Sequence, residues 1–311
     1  MCIAIVSTAH PAYQLIIIDN RDEYLHRPTA PAAWWQEPNS QVLGSRDLAR
    51  PEQGTWMGVT RQGRVAVLTN YREPAPFSSV SRGVIVNEFL TEAPSARRQS
   101  NSSSSSSSIK QDTEEEQQRT TRQFVADMIE SQTAKKAGGF SLVCGKIGEP
   151  LAIISNRMPD DIDAVTWIAG KRGETVGLSN TVLHDRTWPK IINGEILMRS
   201  AIEAHVVSTA GDGYQKDINV DDEEDLISRL FDVLNTDSLP RLQDREPIKE
   251  QYMSQLKESI FIPLLGDRAK FEAEVEQLAK LGLQGYMSGL YGTQKQTVLL
   301  VDYRGRVRGG G

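Results

Sequence analysis

The sequence predicts an α+β protein made of two packed, mainly antiparallel sheets covered by helices. Three observations carry that expectation. Short β-branched runs come in pairs joined by turns. Two of those runs are apolar at successive positions, so both of their faces must be covered. Helical segments fall in two groups, near 82–131 and 188–260, instead of alternating with strands as in a βαβ repeat.

Taken in order, Cys2 to Val6 reads as a short apolar strand and Leu15 to Asp19 as a second, with His10-Pro11-Ala12-Tyr13 as the hairpin connection. The polar quartet Asn20-Arg21-Asp22-Glu23 is expected beyond that second strand, at the sheet rim. Gly54 to Val59 and Val65 to Thr69 flank the turn Arg61-Gln62-Gly63-Arg64 and read as another hairpin. Ser81 to Leu90 and Arg122 to Ile129 look helical. Between them, from Glu92 to about Arg119, lie the unbroken run Ser102 to Ser108, three successive glutamates and paired glutamines. Such a stretch has almost nothing to bury against its ordering entropy. It is expected to be a disordered insertion, at about 92–120, in a single domain covering 1–311. Phe140 to Cys144 and Leu151 to Ser155 form a third hairpin, and Glu174 to Ser179 is expected to end a further one. Helices are then expected from Pro189 to about Ala204, from Glu223 to about Leu234 and from Pro247 to Ile260. A charged helix follows within 267–285, and Gln296 to Asp302 is a late strand.

The 311 residues carry a net charge of −6, with 39% hydrophobic and 24% charged residues and two cysteines. Mild acidity argues against non-specific nucleic-acid binding, which needs clustered Lys and Arg. No run approaches the roughly 18 apolar residues of a membrane span, and two cysteines make neither a disulfide framework nor a four-ligand zinc site. The four histidines (His10, His26, His184, His205) lack ligand spacing, and no metal site is expected. Phosphate-binding glycine loops, a Gly-x-Ser-x-Gly elbow and His-Glu-x-x-His are absent. The opening residues resemble neither a secretory signal nor a transit peptide. A reducing, cytoplasmic setting is therefore the expectation, with organelle residence by another route open.

Chemistry is concentrated at Cys2. Removal of Met1 leaves a residue with a thiol and its own α-amine, whose ordinary pKa of about 8 lets it take the thiol proton. The plainer alternative is that Cys2 is a small apolar residue opening a strand. If the first two strands pair as a hairpin, Arg21 and Asp22 lie beside Cys2, the guanidinium favouring thiolate and the carboxylate orienting the ammonium. Asn70 and Asn180 each end an apolar run, where a side-chain amide can donate to a developing oxyanion. Candidate catalytic residues are thus Cys2, Arg21, Asp22, Asn180 and Asn70. Asn20, Glu23, Arg72 and Trp56 are candidate ligand contacts.

An ordered set of motifs then resembles a known family. Met1-Cys2, Asn20-Arg21-Asp22-Glu23, Arg27-Pro28-Thr29, Trp34-Trp35, Gly54-Thr55-Trp56, Leu68-Thr69-Asn70-Tyr71-Arg72, Gly177-Leu178-Ser179-Asn180, Trp188-Pro189-Lys190 and Tyr291-Gly292-Thr293 look like the transport and Golgi organisation 2, or NRDE, family. The resemblance implies an αββα N-terminal nucleophile hydrolase-like sandwich. It implies Cys2 as the nucleophile, Arg21 and Asp22 beside it, and Asn180, with Asn70 matching less closely, at the oxyanion. It also implies links to secretory-pathway and Golgi organisation, to haem trafficking and to lipid or acyl-coenzyme A metabolism, in cytoplasm with access to Golgi or mitochondria. No cofactor is required on this reading, although haem is an implied transported ligand. The expected function is handling of a small hydrophobic or acyl ligand around Cys2. Hydrolysis of a linear amide or thioester is the alternative, and a membrane-traffic scaffold the second alternative.

Overall fold

The computed structural model describes residues 1–73, 80–91, 120–159, 161–209, 220–240, 252–266, 268–269, 271–273, 276 and 289–310. The expected insertion at 92–119 and most of the charged stretch 267–285 lie outside the described residues. Two antiparallel sheets face each other. One has Thr175–Ser179 (β10), Ile3–Ser7 (β1), Tyr13–Tyr24 (β2), Tyr291–Asp302 (β11) and Val307–Gly310 (β12), adjacent in that order. The other is a meander of Thr29–Trp34 (β3), Val42–Asp47 (β4), Met57–Thr60 (β5), Arg64–Asn70 (β6), Phe140–Lys146 (β7), Leu151–Ser155 (β8) and Thr166–Ile168 (β9). Pro189–Thr209 (α4) and Val220–Leu234 (α5) cover the first sheet. Gly83–Thr91 (α1), Thr121–Glu130 (α2) and the short Gln132–Lys136 (α3) cover the second. This is the four-layer α+β sandwich, helices outside and sheets within.

The two-residue period of β2 explains its unbroken apolar run. Leu15 and Ile17 point between the sheets, against Trp56, Val67 and Val143, while Ile16 and Ile18 point at Met198, Ile202, Leu226 and Leu230 of the helices. All four are at most 3% exposed. Each such side chain contributes roughly 1.5–3 kcal/mol on burial.

Several expectations are corrected. β2 does not stop at Asp19: it continues to Tyr24, so Asn20, Arg21, Asp22 and Glu23 are strand residues. The cause is β11, which pairs with β2 along its length, from Tyr291 opposite Tyr24 to Asp302 opposite Tyr13. β10 is not the arm of a local hairpin. It crosses to the other sheet and pairs with β1, Ile3 opposite Ser179, whereas β9 stays with β8. The described part of the helix expected at 247–260 is mostly turns, with Leu256 N–H on the Tyr252 carbonyl and Glu258 N–H on that of Gln255. Tyr252, Leu256 and Ile260 are nevertheless all buried, so their four-residue spacing imitates a helical face.

One close approach fixes the rim of the site. Gly54, just before β5, meets Gly83 at the start of α1, and a Cβ on Gly83 would lie 2.9 Å from both the Gly54 Cα and the Thr55 carbonyl oxygen. Both obstacles are backbone or rigidly bound to it. Gly83→Ala is therefore expected to destabilise by about 1–3 kcal/mol, read as a lowered denaturant midpoint with unchanged slope.

Candidate functional site

The register of β1 on β2, Ile3 opposite Asn20, places Cys2 across from Arg21. The Cys2 thiol lies 3.9 Å from the backbone oxygen of Asp22, and its own carbonyl accepts the Ser179 hydroxyl at 2.6 Å. The residue before it is held from three sides. The Met1 ammonium sits 3.0 Å from Asp22 Oδ2 and donates to the Tyr291 hydroxyl. Asp22 Oδ1 accepts Thr293 Oγ1 at 2.7 Å. Lys190 Nζ, wholly buried in the first turn of α4, donates to the Met1 carbonyl at 2.5 Å.

Burial dominates the proton affinities here. It lowers the pKa of the Met1 ammonium and of Lys190 against the opposing pull of Asp22. The same burial pushes the Cys2 thiol up to about 11, further raised by Asp22 and Asp19. The ammonium of residue 1 pulls it down, and Arg21 does so least. Arg21 thus acts in the expected direction, but with residue 1 in place burial outweighs it and the thiol stays protonated. Arg21 lies over the Trp56 ring at 4.5 Å, donates to Gln294 Oε1, and faces Asp47 at 3.4 Å and Glu23 at 3.8 Å. Its charge is largely engaged by those acids. Gln294 reaches it because the β2–β11 register shifts between Thr293 and Lys295.

The two sheets are tied at the same end. Thr69 Oγ1 donates to the Ser179 carbonyl at 2.7 Å, the Asn180 amide to the Asn70 carbonyl at 2.6 Å, and the Arg72 N–H to the Asn180 carbonyl at 2.8 Å. One amide hydrogen of Asn180 is therefore structural, and one is left over. A cavity of about 390 Å³ opens here, bordered by Cys2, Arg21, Asp22, Glu23, Trp56, Asn70, Arg72 and Asn180. Asn20 does not border it. Its side chain points the other way along the strand alternation and donates to the Leu234 and Ile260 carbonyls at 2.8 and 3.0 Å. Lys190, Tyr291 and Thr293 were given no role by sequence reasoning. Their only signal was membership in motifs, since neither a lysine opening a helix nor a tyrosine opening a strand announces a contact with residue 1. Among the described residues, no cluster of His, Cys, Asp and Glu is disposed to hold a metal, and no helix is long and apolar enough to cross a membrane.

The family description Transport and Golgi organisation 2 matches residues 1–309. The chain belongs to that family. Its relatives include the Transport and Golgi organization 2 homolog of Mus musculus, 28% identical with 95% of this chain and 85% of that one covered. The Homo sapiens homolog is 29% identical over the same shares. Among solved structures, a Caenorhabditis elegans N-acylethanolamine-hydrolyzing acid amidase ortholog aligns at TM-score 0.36 and 15% identity, covering 76% of this chain and 87% of that one. The family's description ties this Transport and Golgi organisation 2 member to transport and Golgi organisation; the chemistry at its cavity is a separate matter.

Proposed function

We propose that the cavity binds an amphipathic acyl compound and that, once residue 1 is removed, Cys2 attacks its amide or thioester carbonyl. The observation supporting this is a thiol in a cavity with a mixed lining. Arg50, Arg72 and Arg82 border it, Arg82 with Glu73 at 3.6 Å, and so do Tyr24, Met253, Leu256 and Tyr291. Arginines suit a phosphate or carboxylate head, and the apolar and aromatic residues suit an aliphatic chain. In the reaction the thiol proton passes to the Cys2 amine as sulfur bonds to the carbonyl carbon. The leaving amine or thiolate takes that proton as its bond to carbon breaks, and water then hydrolyses the acyl-cysteine. Asn180, which borders the cavity, has one amide hydrogen left to donate to the oxyanion, alongside any donor on the Lys190 side. This activity belongs in cytoplasm with access to Golgi or mitochondria.

Carriage without turnover, of haem or an acyl-coenzyme A, is the second reading. It is favoured by the burial that keeps the thiol protonated while residue 1 stays in place.

The test is intact-mass analysis of the N-terminus followed by incubation with a fatty-acyl thioester. Protein beginning at Cys2 is expected to gain the acyl mass and release thiol, and Cys2→Ala to lose release by about 10³-fold. Equal release from Cys2→Ala refutes the nucleophile. Ligand retention without release in either protein supports carriage.

A further inference from the structure

Residue 1 is itself held like a bound acyl group. Its carbonyl oxygen is on Lys190, and its side chain lies in an apolar pocket with Trp188, Ile191, Leu239, Leu256 and Leu265. Met1 is 8% exposed, and it forms part of the wall of the cavity beside Cys2. From carbonyl carbon to terminal methyl, a methionyl group is as long as a hexanoyl chain. Its removal joins the apolar pocket to the cavity. It also takes away the oxygen to which Lys190, wholly buried, donates. Asp22 still favours the Lys190 charge, but the hydrogen bond to an oxygen is lost, so the vacated site can take an oxygen ligand in its place.

We propose that the pocket vacated by residue 1 is an acyl subsite, taking an unbranched aliphatic chain of about hexanoyl length with its carbonyl oxygen on Lys190. The inference rests on the acyl-transfer reading above and gives it a direction. The chain enters the apolar pocket, the carbonyl faces Sγ, and the leaving group points toward Arg72 and Arg82. Relative to the Met1 carbonyl, that of a free ligand must retreat from bonding to contact distance with the Cys2 nitrogen, by roughly 2 Å. Asp22, relieved of the Met1 ammonium, is left to hold the amine of Cys2.

The experiment compares full-length protein co-expressed with methionine aminopeptidase, its N-terminus verified by mass, with the Met1-bearing form made under inhibition of that enzyme. Each is treated with acetyl, butanoyl, hexanoyl and decanoyl thioesters of N-acetylcysteamine, and Cys2 acylation is timed by intact mass. In the Cys2-starting form, hexanoyl is expected to react on the order of 100-fold faster than acetyl, with no further gain at decanoyl. The Met1-bearing form should show no such preference. Leu256→Trp, which fills the vacated space, should move the optimum to acetyl or butanoyl. Lys190→Met should slow every chain alike, at least tenfold. A flat chain-length profile with Cys2 still acylated overturns the subsite and leaves the nucleophile standing. No acylation by any thioester overturns both.

Discussion

In protein that keeps residue 1, Asp22→Ala is expected to lower the unfolding free energy by about 3–5 kcal/mol. The carboxylate is fully buried and faces the residue 1 ammonium at 3.0 Å, with Thr293 donating to its other oxygen at 2.7 Å. Lys190, also wholly buried, lies near enough for Asp22 to raise its proton affinity. Deleting the anion leaves two buried cations facing one another with no counter-charge. The cost is therefore the desolvation of unpaired ammonium groups, well beyond that of one lost hydrogen bond. Asp22→Asn keeps a carbonyl for Thr293 and should fall between the two. Urea denaturation at neutral pH reads both, and a loss below about 1 kcal/mol for Asp22→Ala would mean that the ammonium is neutralised elsewhere.

Asp19→Asn is expected to act in the opposite direction. Asp19 is 1% exposed, and its Oδ2 is buried without a hydrogen-bond partner. Burial, reinforced by Asp22 and opposed by Arg21, raises its carboxyl from 3.8 to about 8. The folded protein therefore holds this proton up to about pH 8, while the unfolded chain releases it near pH 4. The group's contribution is most favourable below pH 4 and is lost steadily as pH rises to 8, at about 1.4 kcal/mol per unit. Asparagine has the shape of the protonated acid and no charge to bury. At pH 7 the variant should gain about 4 kcal/mol, and its stability should lose the downward slope between pH 4 and 8. An unchanged slope in Asp19→Asn would assign the proton to another group.

How much of this was legible in the sequence depends on the range of the interaction. The β1–β2 hairpin followed from a short turn between apolar runs, and with it came the meeting of Cys2 with Arg21 and Asp22. The alternation that carries Arg21 into the cavity also turns Asn20 toward α5, but the quartet reads as a single polar block until the strand is known to run through it. β11 extends β2 past its apolar part, and that partner lies at the far end of the chain. β3 and β4 escaped notice because β3 is largely exposed and β4 carries Gly44 and charged residues in place of an apolar run. Lys190 was hidden for a physical reason: a lysine is read as solvent-facing unless something buried, here the carbonyl of residue 1, is known to need a cation.

The position of β1 also bears on how the protein can be handled. With β10 on one side and β2 on the other, this strand leaves the residue before it no sideways freedom. An affinity handle fused upstream would turn the ammonium beside Asp22 into a neutral amide and drive extra chain into the space lined by Trp188 and Leu256.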